Sequence, residues 1–249
     1  MDISVCIVNL NAEKYLLRCL QSLENAIWPL SYEVIIVDNK SKDSTMGLLK
    51  KHFNNINLVC NDYNLGYTSE INKAMKIGRG KYKLILNPDT ILNAKSILSM
   101  VTHMNTNEKI GISGPKVLNE DGSFQKSCRR GVARPFAVFC YFLGLAKLFP
   151  KNKKLTGYHL NHLDENLISK VSGLSGSCML IDQNVINDIG YFDEKFFAYQ
   201  EDSDYCLRAI EKGWEIHYYP KAIVYHNSGN GGSKSVPYLS IFEYFSIAK

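Results

Sequence analysis

The 249 residues contain no apolar run near the roughly 18 to 20 that a membrane-spanning helix needs, and the opening Met1-Asp2-Ile3-Ser4 lacks the basic and apolar regions of a signal peptide. A cytoplasmic location is therefore expected. The seven cysteines (Cys6, Cys19, Cys60, Cys128, Cys140, Cys178 and Cys206) are odd in number and scattered, with no C-x-x-C pair. That excludes a zinc or redox motif of the usual spacing and leaves reduced packing residues. No G-x-G-x-x-G follows the first apolar run, where the chain reads Asn9-Leu10-Asn11-Ala12-Glu13, and no G-x-x-x-x-G-K-[ST] occurs. Phosphates bound here must meet something other than a glycine-rich nest, and a hard divalent cation on an aspartate is the usual alternative. What is present is ordinary globular composition, 45% hydrophobic and 21% charged, which removes disorder, collagen and coiled coil and suits one α/β core.

The net charge of +5 is unevenly spread. From Lys126 to Lys154 there are eight lysines and arginines and no acid, so that segment carries +8 and the remainder −3. Within it, Phe136 to Ala146 is aromatic, apolar and flanked by cations. Two readings stay open for residues 134–154: an interfacial helix making peripheral contact with anionic lipid, or a buried core helix beside a solvated lysine loop. Nucleic acid is not expected as a partner, since the remainder is acidic and no RRM, KH or zinc-finger signature appears.

Hydrophobic periodicity alternates strand and helix through the first hundred residues. Ile3–Val8, Tyr32–Val37, Ile56–Cys60 and Lys81–Leu86 read as strands; Glu13–Leu23, a segment capped by Ser41 or Asp43 and running to about His52, and Tyr67–Ile77 read as helices. This order predicts βαβ units with ligand groups at the carboxyl ends of the strands. Further on, Asp121-Gly122 marks a hairpin, Val171–Ile181 a strand, Tyr199–Lys212 a helix, Trp214–Tyr219 and Ala222–Tyr225 short strands, and residues 228–233 a flexible loop. No interdomain linker appears, so residues 1–249 are expected to share one core.

Polar residues collect where the strands stop: Asn9 and Asn11, Asp38 and Asn39, Asn87 and Asp89. Any one is explained by turn preference; the set suggests a shared crevice. Pro88 fixes the backbone before Asp89, which makes that carboxylate the candidate cation ligand. In Glu201-Asp202-Ser203-Asp204, Glu201 and Asp204 suit helix N-terminal charges, and Asp204 stands four residues before Arg208. Asp202 differs, because Cys206 and Ala209 share its face and turn it inward, where a carboxylate needs a partner or a task such as general base. His226 ends the last strand beside the glycine loop and is either packed or a ligand.

The ordered set SVCIVNLN, EVIIVDNKSKD, NLGYTSEIN, LILNPDT, SGSCMLI, GYFDEKFFAYQEDSDYCLRAIEKGW and YHNSG, over about residues 3 to 230, resembles the family 2 glycosyltransferases of GT-A fold, and within them the rhamnosyltransferase-like branch of bacterial surface polysaccharide synthesis. The resemblance implies a single Rossmann-like domain with a mixed central sheet, a nucleotide-sugar-binding half at about 1–110 and an acceptor-binding half at about 111–249. It implies a UDP- or dTDP-linked sugar donor, with Val8, Asn9, Asn11 and Asp38 near base and ribose, Asn64, Gly66 and Asn72 along ribose and diphosphate, and Asn87 in place of the first acid of a D-x-D motif. Asp89 and His226 would be the metal ligands, for Mn²⁺ or Mg²⁺. Asp202 would be the base of an inverting transfer to a saccharide or lipid-linked oligosaccharide, with Ser175, Gly176, Ser177, Tyr199 and Glu201 on the acceptor side. Members of the branch often continue into helices that cover the acceptor, beyond a point equivalent to residues 238–242.

Two other functions compete. A sugar-nucleotide pyrophosphorylase would carry a Gly-rich, Arg-containing loop after the first strand, and none is there. A non-catalytic nucleotide-sugar-binding protein would not require Asp89 and Asp202 together. The lipid reading of residues 134–154 predicts co-sedimentation with anionic but not with neutral liposomes; background sedimentation with both eliminates it.

Overall fold

The computed structural model describes residues 1–52, 56–132, 149, 152, 157, 158 and 160–227. Most of the basic aromatic segment and the loop 228–233 lie outside them. Five β-strands and four helices occupy the first part: β1 Ile3–Asn9, α1 Glu13–Ile27, β2 Tyr32–Asp38, α2 Thr45–His52, β3 Ile56–Cys60, α3 Tyr67–Ile77, β4 Tyr82–Leu86, β5 Thr90–Leu92 and α4 Ser96–Met104. They are followed by β6 Ile110–Leu118, β7 Arg129–Arg130, β8 Ser169–Lys170, β9 Gly173–Leu174, β10 Cys178–Asp182, α5 Gln183–Ile189, α6 Glu201–Glu211 and β11 Glu215–His226.

Nine strands form one sheet in the order β3-β2-β1-β4-β10-β6-β11-β5, with β8 on β11. β3, β2, β1 and β4 are parallel neighbours, while β10 runs antiparallel to both β4 and β6. A strand from the second half of the chain thus pairs directly with one from the first, and the core is continuous across them. The central strands β1 and β4 are buried on both faces, as their unbroken apolar runs predict. Helix α1 buries Leu16, Cys19, Leu20, Leu23, Ala26 and Ile27, one stripe at helical spacing, and stops before Pro29.

Register then places the polar groups. Asn9 pairs with Asp38, and Asp38 with Cys60, so the ends of β1, β2 and β3 lie level and their following residues open on one edge of the sheet. At the other side of β4, the two short terminal strands expected from sequence are one strand, β11, whose pairing with β6 is irregular between Tyr219 and Ile223. Pro220 falls in that irregularity, where its missing N–H leaves no ladder bond unmade. The end of β11 pairs with β5, His226 opposite Thr90, which brings His226 beside the β4–β5 turn.

Two further expectations are corrected, and one left open between two residues is decided. Val171–Ile181 is not one strand: Ser175-Gly176-Ser177 turns out of the sheet between β9 and β10, with Ser175 N–H bonded to Cys128 O. Helix α6 begins at Glu201 because Tyr199 and Gln200 have φ of 68° and 70°, left-handed values that a right-handed helix cannot contain. Of the two candidate caps of α2, Asp43 accepts from Thr45 N–H at 3.2 Å, while Ser41 is committed to Asp38.

The loop before α3 is seated by Gly66, whose φ is +92°. A β-carbon there would lie 2.7 Å from Phe197 O and 2.8 Å from the Phe197 ring, while Tyr67 N–H donates to the same carbonyl at 2.8 Å. Replacing Gly66 with Ala is expected to lower stability by about 2 kcal/mol or more, combining the left-handed penalty with displacement of Phe197. Equilibrium urea unfolding of the variant against the wild-type chain measures this.

Candidate active site

At the ends of β1 and β2, Asp38 is a buried carboxylate held from three sides. Its Oδ1 accepts from Asn9 Nδ2 at 2.8 Å and from Ser41 Oγ at 2.6 Å, and its Oδ2 accepts from Ser41 N–H at 2.9 Å. Asn9 is fully buried and acts by orienting Asp38, which keeps acceptor capacity on Oδ2. Val8 lies next to it at the end of β1. Asn11, in a left-handed conformation, links the two loops by donating its N–H to Ser41 Oγ and accepting from Lys42 N–H at 2.7 Å. Asn64 Oδ1 accepts from Asn39 Nδ2 at 2.7 Å and from Gly66 N–H at 2.9 Å, so the loop before α3 is tied to the end of β2. Asn72 is turned elsewhere: it donates to Phe192 O and accepts from Phe192 N–H, fastening α3 to the segment that leads into α6.

Across β4, Asn87, Asp89 and His226 meet. Asp89 is buried, and its Oδ1 lies 3.2 Å from His226 Nε2 without making a properly directed hydrogen bond. The tautomer follows from the other side of the ring. Gln125 Nε2 donates to Asn119 Oδ1 at 3.0 Å, which turns its Oε1 toward His226 Nδ1, also at 3.0 Å. Nδ1 therefore carries the proton, and Nε2, which faces Asn87 Nδ2 at 3.3 Å, presents a lone pair. Two lone pairs facing one another at that distance, with an acceptor oriented behind the imidazole, are what a divalent cation requires of its protein ligands. The donor set, one carboxylate oxygen and one imidazole nitrogen, fits Mn²⁺ or Mg²⁺. Among the described residues no third His, Cys, Asp or Glu completes the group. Asp89 also borders a shallow recess with Tyr15, Arg18 and Asn227.

The third part of the site hangs on the turn between β9 and β10. Ser177 O accepts from Asn87 N–H at 3.0 Å, and Gly176 N–H donates to Asp202 Oδ2, also at 3.0 Å. Ser175 Oγ bridges to Ser177 N–H and Oγ inside the turn. Two adjacent residues thus connect the turn that carries Asn87 and Asp89 to the first turn of α6, and Asp89 and Asp202 converge. The phenol of Tyr67, buried with no hydrogen-bond partner on its oxygen, lies among them. Burial first, then the charges of Glu201, Asp202 and Asp89, push its pKa well up.

Asp202 faces inward, as its position on the helix predicts, but it has a partner that the sequence did not disclose. Arg130 grips it end-on, Nη1 to Oδ1 at 3.0 Å and Nη2 to Oδ2 at 2.9 Å, across 72 positions of sequence. Asp204 forms the expected pair with Arg208 at 2.8 Å. Glu201 is not a solvated helix-end charge: it is buried with Oε2 unbonded, and burial together with the adjacent Asp202 charge pushes its pKa up to about 8. Tyr199 is 46% exposed just ahead of these acids. Arg130, Tyr67 and Gln125 are the site residues that pattern reading missed. Arg130 stood out only as one of eight like charges, Tyr67 stood inside the NLGYTSEIN motif with no role assigned to it, and Gln125 belongs to no motif.

The raised pKa of Glu201 has a definite sign for stability. The folded state holds its proton above the pH at which the unfolded chain releases it, so stability is full below about pH 4.5 and falls as pH rises toward about 8. Glu201→Gln is expected to match the wild type near pH 4.5 and to exceed it at pH 8 by on the order of 4 kcal/mol. Denaturant midpoints across that window test it.

Comparison with known proteins identifies the family. The family model described as "Glycosyl transferase family 2" matches residues 4–190, and that of "Glycosyl transferase family group 2" matches residues 153–233. An N-acetylglucosaminyl-diphospho-decaprenol L-rhamnosyltransferase of Mycobacterium tuberculosis is 28% identical over 208 residues, covering 79% of this chain and 67% of the relative. A low-salt glycan biosynthesis hexosyltransferase, Agl10 of Haloferax volcanii, is 26% identical over 220 residues, covering 86% of this chain and 64% of the relative. Among solved structures, S. aureus TarS 1–349 in complex with UDP superposes with a TM-score of 0.65 at 20% identity, over 91% of this chain and 60% of that one. The complex with UDP-GlcNAc gives 0.63 at 21% identity, over 99% and 64%. The chain spans about two thirds of the length of these relatives, and its fold is the GT-A fold of the TarS structures. With the motifs in order along the chain and the family model matching residues 4–190, this protein belongs to glycosyl transferase family 2.

Proposed function

We propose that this chain is a glycosyltransferase that moves a sugar, with inversion, from a UDP- or dTDP-linked donor to a hydroxyl of a saccharide acceptor carried on a diphospholipid. The observation that carries the reading is the linkage of Asp89 and Asp202 through adjacent residues of one turn, at the carboxyl edge of a nucleotide-binding sheet. The UDP and UDP-GlcNAc named for the TarS structures support the donor class. The name of the mycobacterial relative supports rhamnose as the sugar and a diphospholipid-linked N-acetylglucosamine as the acceptor.

In this reading Asp38 accepts from the imino N–H of a pyrimidine on its open Oδ2, and Asn64 and Gly66 line the ribose side. Asp89 and His226 would hold Mn²⁺ or Mg²⁺, which when bound supplies positive charge for a departing diphosphate. Asp202 takes the proton of the acceptor hydroxyl as its oxygen attacks C1 from the face opposite the diphosphate, giving an oxocarbenium-like transition state and an inverted product. No carboxylate nucleophile is needed. Glu201, held neutral by burial up to about pH 8, stands beside Asp202 without competing for that proton.

Asp202→Asn is expected to bind donor normally and to lose transfer by about 10² to 10⁴ in kcat, the usual worth of a general base. Transfer within about tenfold of the wild type removes Asp202 from that role. Thermal-shift measurements with UDP-, dTDP- and GDP-sugars, each with and without Mn²⁺, identify the nucleotide; a donor at 100 times its Kd raises stability by about 2.7 kcal/mol. A donor that binds but is never transferred favours the non-catalytic reading, and formation of a nucleoside triphosphate from donor and diphosphate favours the pyrophosphorylase.

A further inference from the structure

Asp202 as it stands cannot accept a proton from an acceptor. A carboxylate offers about four lone-pair directions. On Oδ1 they are met by Arg130 Nη1 at 3.0 Å and Ser203 N–H at 2.7 Å, with Ser203 Oγ at 3.2 Å in addition. On Oδ2 they are met by Arg130 Nη2 at 2.9 Å and Gly176 N–H at 3.0 Å. The two backbone donors belong to α6 and to the turn that also binds Asn87, so neither withdraws without moving the site. The guanidinium is the charged donor that a side-chain rotation can remove. It sits on the short strand β7, paired with β9 immediately before that turn, and it also donates to Ser127 O from Nε at 3.2 Å and to Ser203 Oγ from Nη1 at 2.8 Å.

We infer that Arg130 is an acceptor-operated latch: it covers Asp202 until the diphosphate of the acceptor takes over its guanidinium, which frees a lone pair of Asp202 for the attacking hydroxyl. The inference rests on the diphospholipid-sugar acceptor proposed above. A diphosphate matches the planar fork of arginine as a carboxylate does and carries more charge, so the exchange is chemically even-handed at the guanidinium and opens the base at the other end. Before the acceptor arrives the base is closed to water, which protects the donor from hydrolysis. Arg130 acts through Asp202 and is in this sense a positioning residue.

The test measures binding without donor, by titration calorimetry, of two probes: N-acetylglucosaminyl-diphospho-undecane and undecyl N-acetylglucosaminide, which lacks the diphosphate. Arg130→Gln is expected to weaken the first about tenfold or more, the worth of one charge-assisted contact, and to leave the second within about twofold. Asp202→Asn, isosteric but a poorer partner for the guanidinium, is expected to tighten the diphosphate probe several-fold in the wild-type background and to have no effect once Arg130 is Gln. An equal effect of Asp202→Asn in both backgrounds, or none in either, overturns the latch, as does equal weakening of both probes by Arg130→Gln. Should Arg130→Gln fail to fold, the tightening by Asp202→Asn decides alone, its absence refuting the latch. Failure of the wild type to bind either probe instead refutes the acceptor class, and the latch with it.

Discussion

Two hydrogen bonds made by neighbouring residues hold the candidate site together: Asn87 N–H donates to the backbone carbonyl of Ser177, and Gly176 N–H donates to the side-chain Oδ2 of Asp202. The three backbone groups among these partners cannot rotate away, and the Asp202 carboxylate is held by Ser203 N–H and Arg130 as well, so the turn between β9 and β10 clamps the end of β4 to the start of α6. Everything placed by those two elements follows: Asp89 on one side, Glu201 and Asp202 on the other, and Tyr67 between them. A β-carbon built at Gly176 would lie 3.7 Å from Tyr67 Oη and 3.9 Å from Asp202 Oδ2, ordinary contact distances that show how near the turn runs to both groups.

The same closeness sets the electrostatics. Three buried carboxylates gathered at one sheet edge repel one another in a poorly solvated space, and each is handled differently. Asp202 is met by Arg130, Glu201 keeps its proton up to about pH 8, and Asp89 faces the lone pair of His226, an arrangement that leaves a place for added positive charge. Arg130, one of the eight cations of the segment 126–154, is bonded to Asp202 and so brings positive charge to this acid cluster.

The parallel half of the fold was legible because its strands are uninterrupted β-branched runs and its helices carry clear apolar stripes, signals that depend on near neighbours in sequence. Candidate residues at strand ends were legible for the same reason: β1 and β2 end on Asn9 and Asp38, and Asn87 directly follows β4. Errors fell where long-range partners overrode local preference. Ser41 has the chemistry of a helix cap and spends it on Asp38, because β1 and β2 bring Asn9 and Asp38 level. Tyr199 has a helical continuation after it and stands outside α6, because Phe197 must reach Gly66 and Tyr67 through a chain reversal.

By itself, the order of residues determined that a βαβ sheet would form, that acid 89 would stand at a strand end and acid 202 would point inward, and, through its motifs, the family of the chain, since each of these depends on short-range periodicity or ordered spacing. Only the tertiary structure decided that His226 would face Asp89 with its lone pair, that Glu201 would keep its proton, and that Arg130 would cover Asp202. These depend on which groups lose water together, and residues separated by 72 to 139 positions meet only when the sheet closes its register.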